Sequence, residues 1–325
     1  MGGSSSRFLT GEGLQDLTDR VAIVTGASSG IGLYISFYLV LSGAKVYMAA
    51  RSHEKTAAAI RRLKDEGLHD GLAEKMIWLP FDLTDPRQAK ASAEQFLKLE
   101  QRLDILAPLM FPRILGPYGQ TSTGISDSLV INHISPFVFT ETLLPVLEHT
   151  ASLTGSDVRI VNVSSVAHRW ISNPRYDSFE ALNSDFARTM KPSLNLYAYT
   201  KLANILWTKE LQRRFELKAI PIVTMAVHPG NVMSEGNVKL FKSWPCGSFV
   251  GWFFSLFFLR ENIGGYTPAW AAASSEVAAD SQRFKGAYVV PYGSIVEASK
   301  DARREDLAKD LWAMTERLLA QYNWH

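Results

Sequence analysis

The chain has 325 residues, 46% of them hydrophobic and 20% charged, a balance that excludes a disordered or fibrous protein. Thirty-four Lys and Arg against 32 Asp and Glu leave a formal charge of +2, too little to argue for a nucleic-acid surface. The one cysteine, Cys246, has no partner for an internal disulfide or a Cys-type zinc site, which favours a reducing compartment.

The start, Met1 to Ser6, is small and polar and lacks the apolar core of a secretory signal. Gly2 with Ser6 fits the loose myristoylation pattern, but residues 1–18 read better as a flexible leader. Short apolar runs of strand type follow at Arg20–Thr25, Ala44–Ala50, Met76–Phe81, Leu103–Leu109, Arg159–Val163, Ile220–Val227 and Ala287–Val290. Between them, Ile31–Ser42, Glu54–Glu66, Asp127–Leu147, Leu196–Leu217 and Tyr266–Ser274 carry apolar residues at helical spacing. About seven strands alternating with helices give one doubly wound α/β domain over 19–325, a parallel sheet with helices on both faces. The longest apolar run, Phe249–Leu259, has eleven residues, short of the roughly twenty that span a bilayer core. The expectation is a cytoplasmic protein, with peripheral contact to a membrane surface as an open alternative.

Directly after the first run comes Thr25-Gly-Ala-Ser-Ser-Gly-Ile-Gly32, at a strand-to-helix junction. Gly26, Gly30 and Gly32 permit a sharp turn and close approach of a pyrophosphate, with Ser28, Ser29 and Ile31 around it. The helix start then offers free N–H groups and a positive dipole end. The second run ends at Arg51, where an acidic side chain would hold a ribose 2′-hydroxyl and an arginine accommodates a 2′-phosphate. That favours NADP(H) over NAD(H). Asp82 and Leu83, after the third run, are placed to reach an adenine, although Asp82 can equally cap the helix starting near Pro86.

Tyr197 and Lys201 are four apart and share one helix face. Bringing a phenol from about 10 to about 7 needs roughly 4 kcal/mol, at about 1.36 kcal/mol per pKa unit. A lysine cation about 4 Å away at an effective dielectric of about 20 supplies a similar amount. The pair can therefore form a proton donor and acceptor near neutral pH. The fifth run ends in Ser164 and Ser165, either of which can donate to a substrate oxygen at a strand C-terminus.

Together these stretches resemble the short-chain dehydrogenase/reductase family, from about Asp19 to Gln321. The resemblance implies a Rossmann-type fold and a tetrad. Tyr197 moves the proton, Ser165 holds the substrate oxygen, Lys201 binds the nicotinamide ribose, and Asn132 positions a water. Pro229-Gly-Asn-Val-Met-Ser234 resembles the family's Pro-Gly stretch, in which Pro229, Gly230, Val232 and Ser234 line the cofactor. Val161–His168, Lys201–Asn204 and Asp306–Trp312 are similar to the retinol dehydrogenase and WW-domain oxidoreductase branch, which handles lipophilic alcohols and carbonyls. The family's assembly into dimers or tetramers makes a homo-oligomer a further expectation.

Two positions depart from the pattern. Thr200 replaces the commoner serine before the lysine. Leu106-Ala-Pro-Leu-Met-Phe-Pro112 stands where the family carries Asn-Asn-Ala-Gly, and Pro108 removes a ladder N–H from a central strand. Three outcomes are open: a distorted strand with a working tetrad, a redox-neutral isomerase or dehydratase, or loss of cofactor binding. Residues from about 235 to 265 are rich in Trp and Phe, which predicts a lid for a bulky apolar substrate, steroid-, retinoid-, polyketide- or terpenoid-like. A membrane-associated, non-catalytic scaffold is the rival reading of that segment. His133, His168 and His228 have no metal-like spacing, so structural roles and no metal are expected.

Overall fold

A computed structural model of the chain describes residues 12–109, 118–232 and 259–324. Its strands are β1 (Val21–Thr25), β2 (Lys45–Ala50), β3 (Met76–Pro80), β4 (Ile105–Ala107), β5 (Val158–Val163), β6 (Ile222–Val227), β7 (Ala287–Val290) and β8 (Ser294–Ile295). They form one sheet in the order β3-β2-β1-β4-β5-β6-β7-β8. β1 to β7 pair in parallel, and only the two-residue β8 is antiparallel, on β7. The seven expected strands are therefore present, with a short eighth that carries no periodic signal.

The main helices are α1 (Gly30–Leu41), α2 (His53–Asp65), α3 (Pro86–Leu99), α4 (Asp127–Ser152), α5 (Pro192–Leu217), α6 (Glu261–Ala273) and α7 (Glu305–Tyr322). One apolar cluster packs α3, α4, α5 and α7 on one face of the sheet, and a second packs α1, α2 and α6 on the other. Burial from both sides is why β1, β5 and β6 are apolar nearly throughout. α4 is long and apolar enough to cross a membrane, but 72% of its apolar window is buried inside the fold, so it serves as a core helix.

The packed structure starts earlier than residue 19. Leu14 bridges to Ser274, the Gln15 N–H donates to the Ala273 carbonyl at 2.8 Å, and the Tyr266 hydroxyl donates to the Glu12 carbonyl. Of the expected leader, residues 12–18 are thus part of the fold.

The chain runs β1-β2-β3 to one side of the sheet and β4 to β7 to the other. The order reverses between β1 and β4, and such a switch point opens a crevice at the strand C-termini. β4 is shorter than its apolar run predicts. Its last pairing is Ala107 with Val24, so Pro108 stands just beyond the ladder and its missing N–H breaks nothing. The Pro108 carbonyl still accepts from the Val163 N–H at 3.4 Å. The Thr25 hydroxyl then closes the gap, donating to the Leu109 carbonyl at 2.7 Å and accepting from its N–H at 2.8 Å. A side chain replaces the ladder. Met110, Phe111 and Pro112 lie outside the described residues.

Candidate active site

The glycine turn opens the crevice on the β1 side. Gly26 and Gly30 have φ of +61° and +56°, a region that side chains rarely adopt. A Cβ on Gly32 would lie 2.5 Å from the Gly26 carbonyl oxygen, so only hydrogen fits there. Ser29, the residue before α1, makes no side-chain cap bond, which leaves the amino end of α1 to an external anion. Ser28, Ser29 and Ile31 are partly exposed around that end.

Arg51 is exposed at the end of β2 and, among the described residues, pairs with no carboxylate. With Asp82, Gln88 and Ser92 it lines a cavity of about 290 Å³. Asp82 accepts from the Thr84 N–H at 2.9 Å, whereas the cap of α3 is Asp85, which accepts from the Arg87 N–H. Asp82 is thus not the helix cap. The Leu83 carbonyl is tied to α4 by the Ser135 hydroxyl at 2.8 Å. The chemistry of this set suits a dinucleotide: a helix start open to a pyrophosphate, with Asp82, Leu83 and Arg51 at the ends of β2 and β3.

Across the crevice, β5 and α5 bring the other candidates together. Ser165 follows β5 in an extended conformation. Its Oγ accepts from the Ala167 N–H at 3.2 Å and stands by the Tyr197 phenol, whose charged form it favours. Ser164 points the other way, donating to the Lys201 carbonyl at 2.8 Å. Of the two serines, Ser165 is the one at the phenol. The side chain of Lys201 is buried and its Nζ donates to the Val163 carbonyl at 3.0 Å. Tyr199 is held elsewhere, stacked on Tyr176 at 4.4 Å with its hydroxyl on the Arg175 carbonyl at 2.6 Å. It cannot replace Tyr197.

The electrostatics differ from the sequence expectation. Lys201 Nζ is 5.8 Å from the Tyr197 ring centre. Burial raises the phenol above its ordinary value and the bond from Ser165 only partly offsets this. Burial without a counter-charge brings Lys201 down to about 7. Desolvation outweighs mutual attraction here. Burial disfavours the charged form of both groups, and Ser165 partly favours the phenolate.

Asn132 lies in α4 inside a π-type turn, Val130–Ile134, where the Ser135 N–H reaches back five residues to the Val130 carbonyl. Its Nδ2 donates to Thr200 Oγ1 at 3.1 Å, and Thr200 in turn donates to the Tyr197 carbonyl at 2.9 Å. The hydroxyl that Thr200 shares with serine is therefore in use. Asn132 Oδ1 is buried and has no partner.

Pro229 is buried, Gly230 has φ +93°, and Val232 pairs with Leu259 beside them. Ser234, and the expected lid from 235 as far as residue 258, lie outside the described residues.

The histidines are bound into the protein. His133 Nε2 meets Thr315 Oγ1 at 2.8 Å. His168 Nδ1 donates to the Ser165 carbonyl at 2.7 Å, and its Nε2 accepts from the Ser299 N–H at 3.1 Å. His228 follows β6 with its Nδ1 buried and unpartnered. Among the described residues no cluster of His, Cys, Asp or Glu could hold a metal.

His168 has the structural role expected of it, whereas the sequence assigns no role of their own to Thr25 and Asn204. Thr25 sat in view as the last residue of β1, but its role depends on what β4 does.

Comparison with known proteins agrees with this architecture. Residues 20–178 match the short chain dehydrogenase family. A short-chain dehydrogenase/reductase of Armillaria gallica is 62% identical over 322 residues, covering 99% of each chain. Another, dpchH of Colletotrichum higginsianum, is 35% identical, covering 93% of this chain and 75% of its own. Among solved structures, an uncharacterized protein from Mycobacterium paratuberculosis superposes with a TM-score of 0.69 at 25% identity, covering 96% and 97% of the two chains. The Pseudomonas aeruginosa RhlG/NADP complex superposes with a TM-score of 0.61 at 23% identity, covering 86% and 96%. The chain belongs to the short-chain dehydrogenases/reductases. It is a dehydrogenase/reductase acting between CH–OH and C=O.

Proposed function

We propose that the chain is an NADP(H)-dependent oxidoreductase that interconverts a hydroxyl and a carbonyl on a bulky hydrophobic small molecule of steroid-, retinoid-, polyketide- or terpenoid-like class, in a specialised biosynthetic pathway. The observation that carries this reading is the meeting of Ser165 and Tyr197 at the end of β5, across the crevice from the glycine turn and Arg51. Nicotinamide bound there supplies or takes the hydride. Tyr197 passes a proton to or from the substrate oxygen, and Ser165, beside the phenol, holds that oxygen. Lys201 holds the ribose, whose hydroxyls give its buried ammonium the partners that Val163 alone does not. The free Oδ1 of Asn132 accepts from a water in the proton path.

Arg51 supports the 2′-phosphate preference. The aromatic composition of residues 235–265 supports an apolar substrate and is compatible with a cytoplasmic enzyme touching a membrane surface. The pairing of Leu109 with Thr25, which holds the chain in place just after the fourth strand, supports the redox reading over a redox-neutral one.

The test is NADPH consumption, followed by absorbance, with a panel of bulky apolar ketones. Loss of NADPH in step with ketone supports the proposal. Turnover with NADPH unchanged contradicts it and favours an isomerase or dehydratase.

A further inference from the structure

Asn132 is followed four residues later by Pro136, which has no N–H. In a regular helix that N–H would bond the Asn132 carbonyl, so the sequence itself removes the ordinary partner of a carbonyl inside a buried helix. The partner comes from another helix. Asn204, fully buried on α5 three residues after Lys201, directs its amide N–H₂ at that carbonyl at 2.8 Å, and at the Thr200 carbonyl at 3.2 Å. Asn204 thus grips both ends of the Asn132–Thr200 bond from the main-chain side.

We infer that Asn204 is a positioning residue of the candidate active site: it replaces the N–H that Pro136 cannot give, and so fixes where Asn132 presents its amide. The inference rests on the proposed oxidoreductase reading for its catalytic consequence, and on geometry alone for its structural one. Without Asn204, the Asn132 carbonyl loses its partner from α5. The π-type turn then has reason to shift, carrying Asn132 away from Thr200 and Tyr197. An ordinary brace between two helices would be indifferent to what stands at 136. A replacement for a missing N–H is not.

The test is a double-mutant cycle with N204A and P136A, because alanine at 136 restores the main-chain N–H that a regular helix would aim at the Asn132 carbonyl. In N204A, kcat should fall about tenfold and amide exchange in residues 130–137 should rise about tenfold, as expected for one buried carbonyl left unpaired. The NADPH Kd should stay within about twofold, since Asn204 is fully buried and its amide meets the carbonyls of Asn132 and Thr200. In the P136A background both effects of N204A should shrink to less than about threefold. Equal effects in both backgrounds, or no change in exchange, overturn the inference. If N204A alone does not fold, a folded P136A/N204A protein supports it and an unfolded one overturns it. If wild type consumes no NADPH with any ketone, the oxidoreductase reading fails, while the exchange measurements still decide the role of Asn204.

Discussion

The ammonium of Lys201 lies 5.8 Å from the ring centre of Tyr197 and 3.0 Å from the carbonyl of Val163. In the protein alone, the lysine is thus spent on the end of β5 and the phenol is influenced mainly by burial and Ser165. Two consequences concern stability as much as catalysis.

A buried ammonium with one carbonyl partner is a destabilising group. Because Lys201 falls to about 7 in the fold from an ordinary 10.5, the unfolded chain binds the extra proton between those values. The penalty is complete below about pH 7, shrinks as pH rises, and is gone above about 10.5. Lys201→Met should therefore raise the melting temperature of the cofactor-free protein at neutral pH and lose that advantage in strong alkali. It should also abolish turnover. Thermal unfolding across pH checks it, and a lower melting temperature at neutral pH would contradict it.

The histidines act in the opposite range. His168 and His228 are each brought down to about 4, and His133 to about 3, all chiefly by burial, from an ordinary 6.5. They are neutral in the fold, so the unfolded chain takes up more protons below about 6.5. The histidine contribution should be constant above that pH, and stability should fall steadily towards pH 4. A denaturant midpoint unchanged between about pH 7 and about pH 4.5 would contradict this.

Arg51 is expected to discriminate between the two dinucleotides. Arg51→Ser should weaken NADPH binding by about 10- to 100-fold, the value of a charge-assisted contact, and leave NADH within about twofold. Calorimetric titration with both cofactors measures the difference. Equal losses for the two would mean that Arg51 does not meet the 2′-phosphate.

The turn after β1 tolerates no side chain at its third glycine. Gly32→Ala places a Cβ 2.5 Å from the Gly26 carbonyl oxygen, and the backbone has to move. NADPH binding should fall more than about tenfold, the effect of losing some 1.4 kcal/mol, while far-UV circular dichroism stays native-like. Unchanged binding would show that the turn is not the phosphate site.

Much of this molecule was legible because its signals are local. Strands buried on both faces read as apolar runs, as in Val21–Val24, and a glycine cluster between strand and helix announces its own turn. Tyr197 and Lys201 share a helix face by spacing alone. What the sequence could not show was long-range. Pro108 looked disruptive because nothing local says that β4 stops at Ala107 or that Thr25, 84 residues away, takes over. The choice between Ser164 and Ser165 depended on which way the chain turns after Val163. The direction of the Tyr197 shift depended on burial, which Coulomb's law between two residues omits. Asn204 escaped notice because its partner, the Asn132 carbonyl, is unpaired only by virtue of Pro136 on another helix.

The measurement that tests the central claim most directly compares wild type with Tyr197→Phe in NADPH-dependent reduction of a bulky apolar ketone. The phenylalanine keeps the ring and removes the transferable proton. The account predicts a loss in kcat of about 10²- to 10⁴-fold with NADPH affinity unchanged. A variant that turns over as fast as wild type would contradict it.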